Sequence, residues 1–317
     1  MKILLGWGFT DEQNADLCRR LPEQRVVELD TSEPVEPQVA DAEVYAPGKW
    51  GAEVLDAAKQ LRWVHFCHAG LDSVFFPELR STDVLLTNSA GVFSEPMAEH
   101  ALALILTFAS GLNFCPPRYA HWGKRRDLIG ESALEIKGAT LGVIGYGGIG
   151  RATAARAHAL GMRVLAVAGS DHEPDGVAEW IRGPLALSEL LAESDYVVLS
   201  CPLTEDTRHI IGADQIALMG EQAVLVNLGR GGLVDQEALL DALEQDRIRG
   251  AGLDVTTPEP LPDDHPFWTM DNVVITPHAS AASPKTAGRV YELFAENLRR
   301  YLAGEDMLNV VDKQAGY

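Results

Sequence analysis

Basic residues are scarce in this chain. Its 317 residues hold 26 Lys and Arg against 46 Asp and Glu, a formal net charge of −20. Such a surface repels phosphate backbones, so no nucleic-acid partner is expected. Lysine is scarcer still, with 7 Lys beside 19 Arg. That bias fits an ordinary acidic protein better than salt adaptation, and a stability gain at high salt would separate the two. Cysteine is sparse too. Cys18, Cys67, Cys115 and Cys201 form no C-x-x-C pair and no zinc-ligand spacing, and the histidines form no i, i+4 ligand pair. A disulfide framework is excluded and no metal is expected; reduced thiols fit a cytoplasmic protein. Long apolar runs are missing. The longest, Ala101–Ala109, is far too short to span a bilayer, and the apolar start after Met1 meets Asp11 and Glu12 too soon for a secretory signal. No membrane partner and a cytoplasmic location are therefore expected.

What is present centres on Ala139–Gly169, ATLGVIGYGGIGRATAARAHALGMRVLAVAG. An apolar run, Thr140–Ile144, meets a glycine turn, a helical stretch and a second apolar run, Met162–Ala168. Inside lies G-x-G-x-x-G as Gly145, Gly147 and Gly150. Glycine patterns are common, but here a strand precedes this one and a helix follows it. In that setting the three glycines permit, in turn, a tight turn, close approach of a pyrophosphate, and close helix–strand packing. The helix start at Gly148 and Ile149 offers unpaired N–H groups to an anion. A bound dinucleotide is expected. Ala152, Ala155, Ala159 and Leu160 are expected to pack on the sheet.

Strands and helices alternate on both sides of this unit, which predicts α/β layers with parallel sheets. Before it, strands are expected at Lys2–Gly6, Arg25–Leu29, Ala42–Tyr45, Trp63–Cys67 and Val84–Thr87, with Thr10 capping a helix to Leu21. Thr31–Gln38 reads as a solvated loop. Ser94–Phe114 reads as one long helix capped by Ser94, apolar nearly all round and buried between layers. Arg118–Glu131 reads as an excursion. After the glycine unit, strands are expected at Tyr196–Ser200, Ala223–Leu228, Gly250–Val255 and Val273–Thr276. Pro284–Leu302 is a helix with no strand after it, so it can return to the first domain.

Three motifs end late strands, where open α/β sheets hold ligands. They are VNLGRGGLVD with Arg230, GLDVTTPEP with Asp254 and Glu259, and VVITPHASA with His278. Beside a nicotinamide, alcohol oxidation needs a base and ketone reduction an acid, and histidine serves both near neutral pH. Glu259 is the candidate to fix its tautomer. A guanidinium at Arg230 can hold a carboxylate and polarise the neighbouring carbonyl. Singly, each has an ordinary structural reading: a buried or packed His, a surface ion pair for Arg230, a cap for Asp254. Their joint occurrence after the dinucleotide fingerprint makes them catalytic candidates.

From Glu95 to Ala281 most strongly, and over nearly the whole chain, the sequence resembles the D-isomer-specific 2-hydroxyacid dehydrogenases. GYGGIGR, NLGRGGLVD, GLDVTTPEP and TPHAS stand in the family's order. The resemblance implies two doubly wound parallel-sheet domains: a Rossmann-type cofactor domain over 95–282, inserted in a flavodoxin-like substrate domain of 1–94 and 283–317. It implies Arg230, Glu259 and His278 as the catalytic set, acting on a 2-oxo or D-2-hydroxy acid. The backbone N–H groups of Ala69 and Gly70 would meet the substrate carboxylate, together with Arg230 and His278. Cofactor contacts would come from Gly145, Gly147, Gly148, Ile149, Gly150, Ala168, Ser170, Cys201, Leu228, Gly229, Arg230, Asp254, His278 and Ser280. A homodimer is implied, with Arg118–Lys124 reaching across and Trp122 either at the partner's site or in simple interface packing. The sequence departs from NAD-preferring members at Ala168, where they carry a carboxylate. GSDHEPDG follows, so NAD is favoured by its acidic loop and NADP stays open. Glu259 argues against a formate dehydrogenase, whose histidine pairs with glutamine, and HFCHAGLD lacks the lysine of phosphite dehydrogenases. The rival from another class is a non-catalytic dinucleotide sensor of the same fold.

Overall fold

The computed structural model describes residues 1–71, 74–114, 129 and 133–314. The chain divides into two compact units, Met1–Phe93 with Ser283–Tyr317, and Ser94–Ala282.

In the first unit five strands, β1 (Lys2–Leu5), β2 (Arg25–Glu28), β3 (Val44–Ala46), β4 (Trp63–Phe66) and β5 (Leu85–Asn88), form one sheet in the order β2-β1-β3-β4-β5. All pairings are parallel, giving the flavodoxin-like order. Short, largely apolar strands are what a sheet covered on both faces requires. Thr10 caps the helix Asp11–Arg20 in a capping box with Gln13. The returning helix Thr286–Ala303 buries Val290, Tyr291, Phe294 and Leu298 against Ile3, Leu5 and Trp63.

In the second unit seven strands, β6 (Thr140–Ile144), β7 (Arg163–Val167), β8 (Trp180–Arg182), β9 (Tyr196–Leu199), β10 (Val224–Asn227), β11 (Gly250–Leu253) and β12 (Val273–Ile275), run in the order β12-β11-β10-β9-β6-β7-β8. All pairings are again parallel. The order reverses at β6, between β7 and β9, and the glycine turn leaves the C-terminal end of that strand. This switch point is where an open sheet opens a crevice for a ligand.

Several local expectations change. Thr31–Gln38 is not all loop, because Val35–Val39 is a short helix that buries Val35 and Val39. The long helix stops at Ala109; Gly111, at φ +64°, turns the chain before a separate 3-10 turn at Leu112–Phe114. Ser94 lies inside that helix, and its hydroxyl is buried without a hydrogen-bond partner, so it is no cap. Nor is the helix buried all round, since Glu95, Glu99, Ala103 and Leu106 are exposed. Its inner face comes close because β11 has no bulk: a Cβ on Gly250 would lie 2.6 Å from Phe108, and one on Gly252 3.2 Å from Leu104. The helix Gly148–Ala159 buries Gly150, Thr153, Ala154 and Ala157, while Ala155, Ala159 and Leu160 face outward. The sequence offered alanines all round, and the third glycine sets the face. The strand Trp180–Arg182 is an addition to the expected set.

Below the turn after β4 lies a buried polar chain. Trp63 Nε1 donates to Thr87 Oγ1 at 2.8 Å, so the Thr87 proton goes to His65 Nδ1, also at 2.8 Å. The His65 proton is thereby placed on Nε2, facing Ser89 Oγ at 3.3 Å, and Ser89 donates on to Phe66 O. Burial, with His68 adding to it, pushes His65 down to about 3. The folded histidine binds a proton less readily than the unfolded one. Its contribution is therefore full above the unfolded value near 6.5 and is lost progressively as pH falls from there toward about 3. Denaturant unfolding from pH 7.5 to 5 should show stability falling by up to about 1.4 kcal/mol per unit below 6.5, a slope that His65→Gln should flatten; an unchanged slope in the variant would refute the assignment.

Candidate active site

The glycine turn is built by exclusion. Gly145 sits at φ +98°, and a Cβ there would lie 2.4 Å from Cys201 N, so the turn is drawn tight against the end of β9. Ser200 Oγ donates to Gly145 O at 2.8 Å and locks that approach. A Cβ on Gly150 would lie 2.1 Å from Gly145 O, which forces the helix onto the strand end. Gly147 differs, since nothing lies within 4 Å of its Cβ position. The helix Gly148–Ala159 starts right after it with no side-chain cap, leaving the N–H groups of its first turn to an outside acceptor. Open space before an uncapped helix is what a pyrophosphate needs, so these residues fit a dinucleotide.

The loop after β7 is pinned to this turn. Ala168 N–H donates to Arg182 O at 2.8 Å, and Ser170 Oγ lies 3.3 Å from His172 Nε2. Asp171 accepts from Gly183 N–H at 2.8 Å. Asp175 accepts from the Tyr146 hydroxyl at 2.9 Å and from Arg151 Nη1 at 3.0 Å. Burial pushes the Asp175 carboxyl up, but the N–H groups of Ala178 and Val177, with Tyr146 and Arg151, outweigh it and hold the group low. Arg182 is bound to Glu189 at 2.8 Å and covers the Trp180 ring. The basic groups at this end thus already have carboxylate partners.

At the end of β10, the buried Asn227 braces the turn that carries Arg230. Its Oδ1 accepts from Gly229 N–H at 3.0 Å and its Nδ2 donates to Arg230 O at 2.9 Å. Leu228 is buried below, and its N–H donates to Leu199 O. A Cβ on Gly231 would lie 2.0 Å from Thr256 O, so only glycine lets this turn close on the segment after β11. Arg230 Nη1 donates to Gly229 O at 2.8 Å.

The third cluster is the tightest. The Asp254 side chain is 0% exposed. Its Oδ1 accepts from the Thr276 hydroxyl at 2.6 Å and from Ala279 N–H at 2.9 Å, and its Oδ2 from Ser280 N–H at 3.0 Å. Its carbonyl takes His278 N–H at 2.9 Å. Burial pushes this carboxyl up, but hydrogen bonds from Ser280, Thr276 and Ala279 outweigh it and hold Asp254 below the usual carboxylate range. The loop so held carries His278 at φ +50°, a left-handed conformation uncommon for a side-chain-bearing residue. His278 Nδ1 lies 2.5 Å from Glu259 Oε1, and the two side chains are 48% and 40% exposed. An ionised carboxylate only accepts, so the Nδ1 proton is fixed and Nε2 is the nitrogen left to exchange one. Both residues line a pocket of about 320 Å³ with Asp254, Thr276, Leu261 and Trp268. The Trp268 ring is held by its N–H on Pro262 O at 2.8 Å.

The structure therefore joins Glu259, His278, Asp254 and Ser280 in one cluster, and Gly145, Gly147, Gly148, Ile149, Gly150 and Cys201 in another. The Arg230 turn packs on the Thr256 backbone of the first cluster. Ala69 and Gly70 belong to the other unit, where Asn88 Nδ2 donates to Ala69 O at 2.9 Å and His68 Nδ1 meets Gly70 O at 2.7 Å. Trp122, Cys115 and the Arg118–Lys124 stretch lie outside the described residues. Sequence reasoning passed over Asn227 and Thr276, although each stands inside a motif already singled out.

A family model described as D-isomer specific 2-hydroxyacid dehydrogenase, NAD binding domain, matches residues 103–280. A glyoxylate reductase from Korarchaeum cryptofilum is 39% identical over 269 residues, covering 83% of this chain and 80% of that one. Glyoxylate/hydroxypyruvate reductase B from Pectobacterium carotovorum is 35% identical over 308 residues, covering 94% and 95%. Among solved structures, an NADPH-dependent glyoxylate/hydroxypyruvate reductase from Sinorhizobium meliloti, in complex with NADP and sulfate, aligns with a TM-score of 0.81 at 26% identity over 100% of this chain and 99% of that one.

Two glycine variants separate packing from ligand room. Gly231→Ala should lose about 1–3 kcal/mol of stability by overpacking against backbone. Gly147→Ala should keep the melting temperature yet weaken dinucleotide binding at least tenfold. Thermal unfolding and titration of NADH fluorescence check both; unchanged affinity in Gly147→Ala would show that the open space is not a pyrophosphate site.

Proposed function

The chain belongs to the D-isomer specific 2-hydroxyacid dehydrogenase family, and we propose that it reduces small 2-oxo acids of the glyoxylate and hydroxypyruvate type, with His278, Glu259 and Arg230 acting on the substrate. The observation that carries this reading is the 2.5 Å contact of His278 with Glu259 at the wall of an open pocket. Glu259 holds the imidazole by Nδ1, so Nε2 gives a proton to the carbonyl oxygen in reduction and takes it from the alcohol in oxidation. Arg230 binds the substrate carboxylate and polarises the carbonyl beside it. The nicotinamide dinucleotide, when bound, supplies or accepts the hydride. Gly145, Gly147, Gly148, Ile149 and Gly150 hold its pyrophosphate. Ala168 and Ser170 stand at its adenosine ribose, and Cys201, Leu228, Gly229, Asp254 and Ser280 line its nicotinamide half.

NAD is the proposed preference. Asp171 and Asp175 make the ribose loop acidic, and Arg151 and Arg182 are held by Asp175 and Glu189, so a 2′-phosphate would meet carboxylates before a free cation. The proposed assembly is a homodimer through the second unit, whose long helix leaves Ala103 and Leu106 exposed beside Leu112 and Leu134. Light scattering should give twice the chain mass, and Leu106→Asp should shift it toward the single chain; a single-chain mass in the wild type would remove the dimer.

The deciding experiment follows absorbance loss of NADH and NADPH separately against glyoxylate, hydroxypyruvate, pyruvate and phenylpyruvate. Turnover with NADH above NADPH is expected. His278→Ala should lower kcat about 10²–10⁴-fold with the dinucleotide still bound. Arg230→Ala should raise substrate KM and lower kcat together, at a total loss of about 10²–10³ in kcat/KM. Wild-type turnover in His278→Ala would overturn the proton-transfer role, and tight dinucleotide binding without turnover of any acid would favour the sensor.

A further inference from the structure

We infer that His100 is a positioning residue for His278, acting through Thr276 and Asp254. His100 lies on the helix Ser94–Ala109, remote in sequence from the motifs of the cluster. Its Nε2 is 3.0 Å from Thr276 Oγ1 and 3.9 Å from Asp254 Oδ1.

The proton order follows from the inventory of donors. Thr276 has one hydroxyl proton, and at 2.6 Å from Asp254 Oδ1 that proton goes to the carboxylate, which only accepts. The Thr276 oxygen then receives a proton from His100, so His100 carries its hydrogen on Nε2. The chain His100 to Thr276 to Asp254 runs in one direction, each hydroxyl or carboxylate oxygen accepting from the group before it. Its end is the loop that carries the proposed acid–base residue. Asp254 takes the N–H groups of Ala279 and Ser280, and its carbonyl takes that of His278. Thr276 on one side and Ala279 on the other thus hold His278 in its left-handed conformation. Such a conformation persists only where the surroundings over-determine it. His100 supplies the outermost of these restraints and ties the loop to a helix that is otherwise packed by Leu104 and Phe108 on β11. It lies at one end of a relay whose other end is the proposed acid–base histidine, so its loss acts chiefly on the orientation of His278. A histidine that only filled space would be replaceable by any side chain of similar volume.

This inference rests on the reading of His278 as the acid–base group, and the test separates the two. His100→Leu and Thr276→Val should each lower kcat about fivefold to twentyfold while the KM for NADH stays within about twofold. His100→Gln, which keeps a donor at the same reach, and Thr276→Ser, which keeps the hydroxyl, should recover most of the rate. The double variant His100→Leu/Thr276→Val should be no slower than the slower single one, as expected for two links of one chain. A folded His100→Leu with wild-type kcat, or full additivity in the double variant, would overturn the inference. If His100→Leu does not fold, Thr276→Val and its serine rescue carry the same comparison. Nitrogen-15 spectra of the unliganded protein give a readout free of turnover. The His100 proton should sit on Nε2, and Thr276→Val should shift the His278 ring resonances. A proton on Nδ1 of His100, or unmoved His278 signals, would refute the relay even in a protein that turns over no 2-oxo acid; the expected spectra without turnover would refute the enzymatic reading and leave the relay standing.

Discussion

The Asp254 carboxylate keeps its charge with none of its side chain exposed, and the geometry of the loop that carries His278 follows from that constraint. A charge taken out of water is tolerated only if its oxygens find donors. Here the donors all come from one short loop: Thr276, Ala279 and Ser280. Satisfying the carboxylate and shaping the loop are therefore the same event. His278, between those donors, has its backbone fixed by them and contributes nothing to the carboxylate by its side chain. That leaves its imidazole free to meet Glu259 at the wall of the pocket.

The cluster depends equally on what is absent. Gly231 lets the Arg230 turn rest on Thr256 O, and Gly145 lets the dinucleotide turn rest on Cys201 N. Gly250 and Gly252 let the long helix settle on β11, which brings His100 within reach of Thr276. At Gly231, Gly145 and Gly250 a Cβ would fall 2.0–2.6 Å from a neighbouring atom, closer than real side chains come, and at Gly252 the 3.2 Å approach to Leu104 is tight. Packing is dense enough there that a single added methyl has nowhere to go. Gly147 differs from these four: nothing lies within 4 Å of its Cβ position, which leaves room for the proposed pyrophosphate.

Much of this was readable beforehand, for physical reasons that differ from residue to residue. The alternation of short apolar strands with helices announced two parallel sheets, because strands covered on both faces are apolar along most of their length. Gly145, Gly150 and Gly231 stood in motifs whose spacing is set by backbone geometry. The short helix Val35–Val39 was hidden because prolines flank and interrupt it and it is barely longer than one turn. The buried face of Gly148–Ala159 was hidden because alanine carries no amphipathic contrast, so periodicity had nothing to act on. Ser94 has the composition of a cap but lies within the helix rather than ahead of it. The role of Thr276 was hidden for another reason. A sequence shows that a hydroxyl exists but not which way it donates, and His100, some 176 residues earlier, gives no local hint of its partner.

The two ends of the proposed ligand site differ in how their charge is organised. At the reactive end one carboxylate holds a loop, and a second, Glu259, is left to an exposed histidine. At the ribose end Asp175 is bound by Tyr146 and Arg151, which arise from the glycine turn and its helix. The position of the acidic loop is thus tied to the same turn that would hold the pyrophosphate. On the proposed reading, the preference for NAD is then not a matter of one missing arginine. A lysine or arginine introduced at Ser170 would enter a loop whose carboxylates stay in place because they anchor it. Exchanging the preference would require replacing Asp175 as well, and with it the brace that orders the loop.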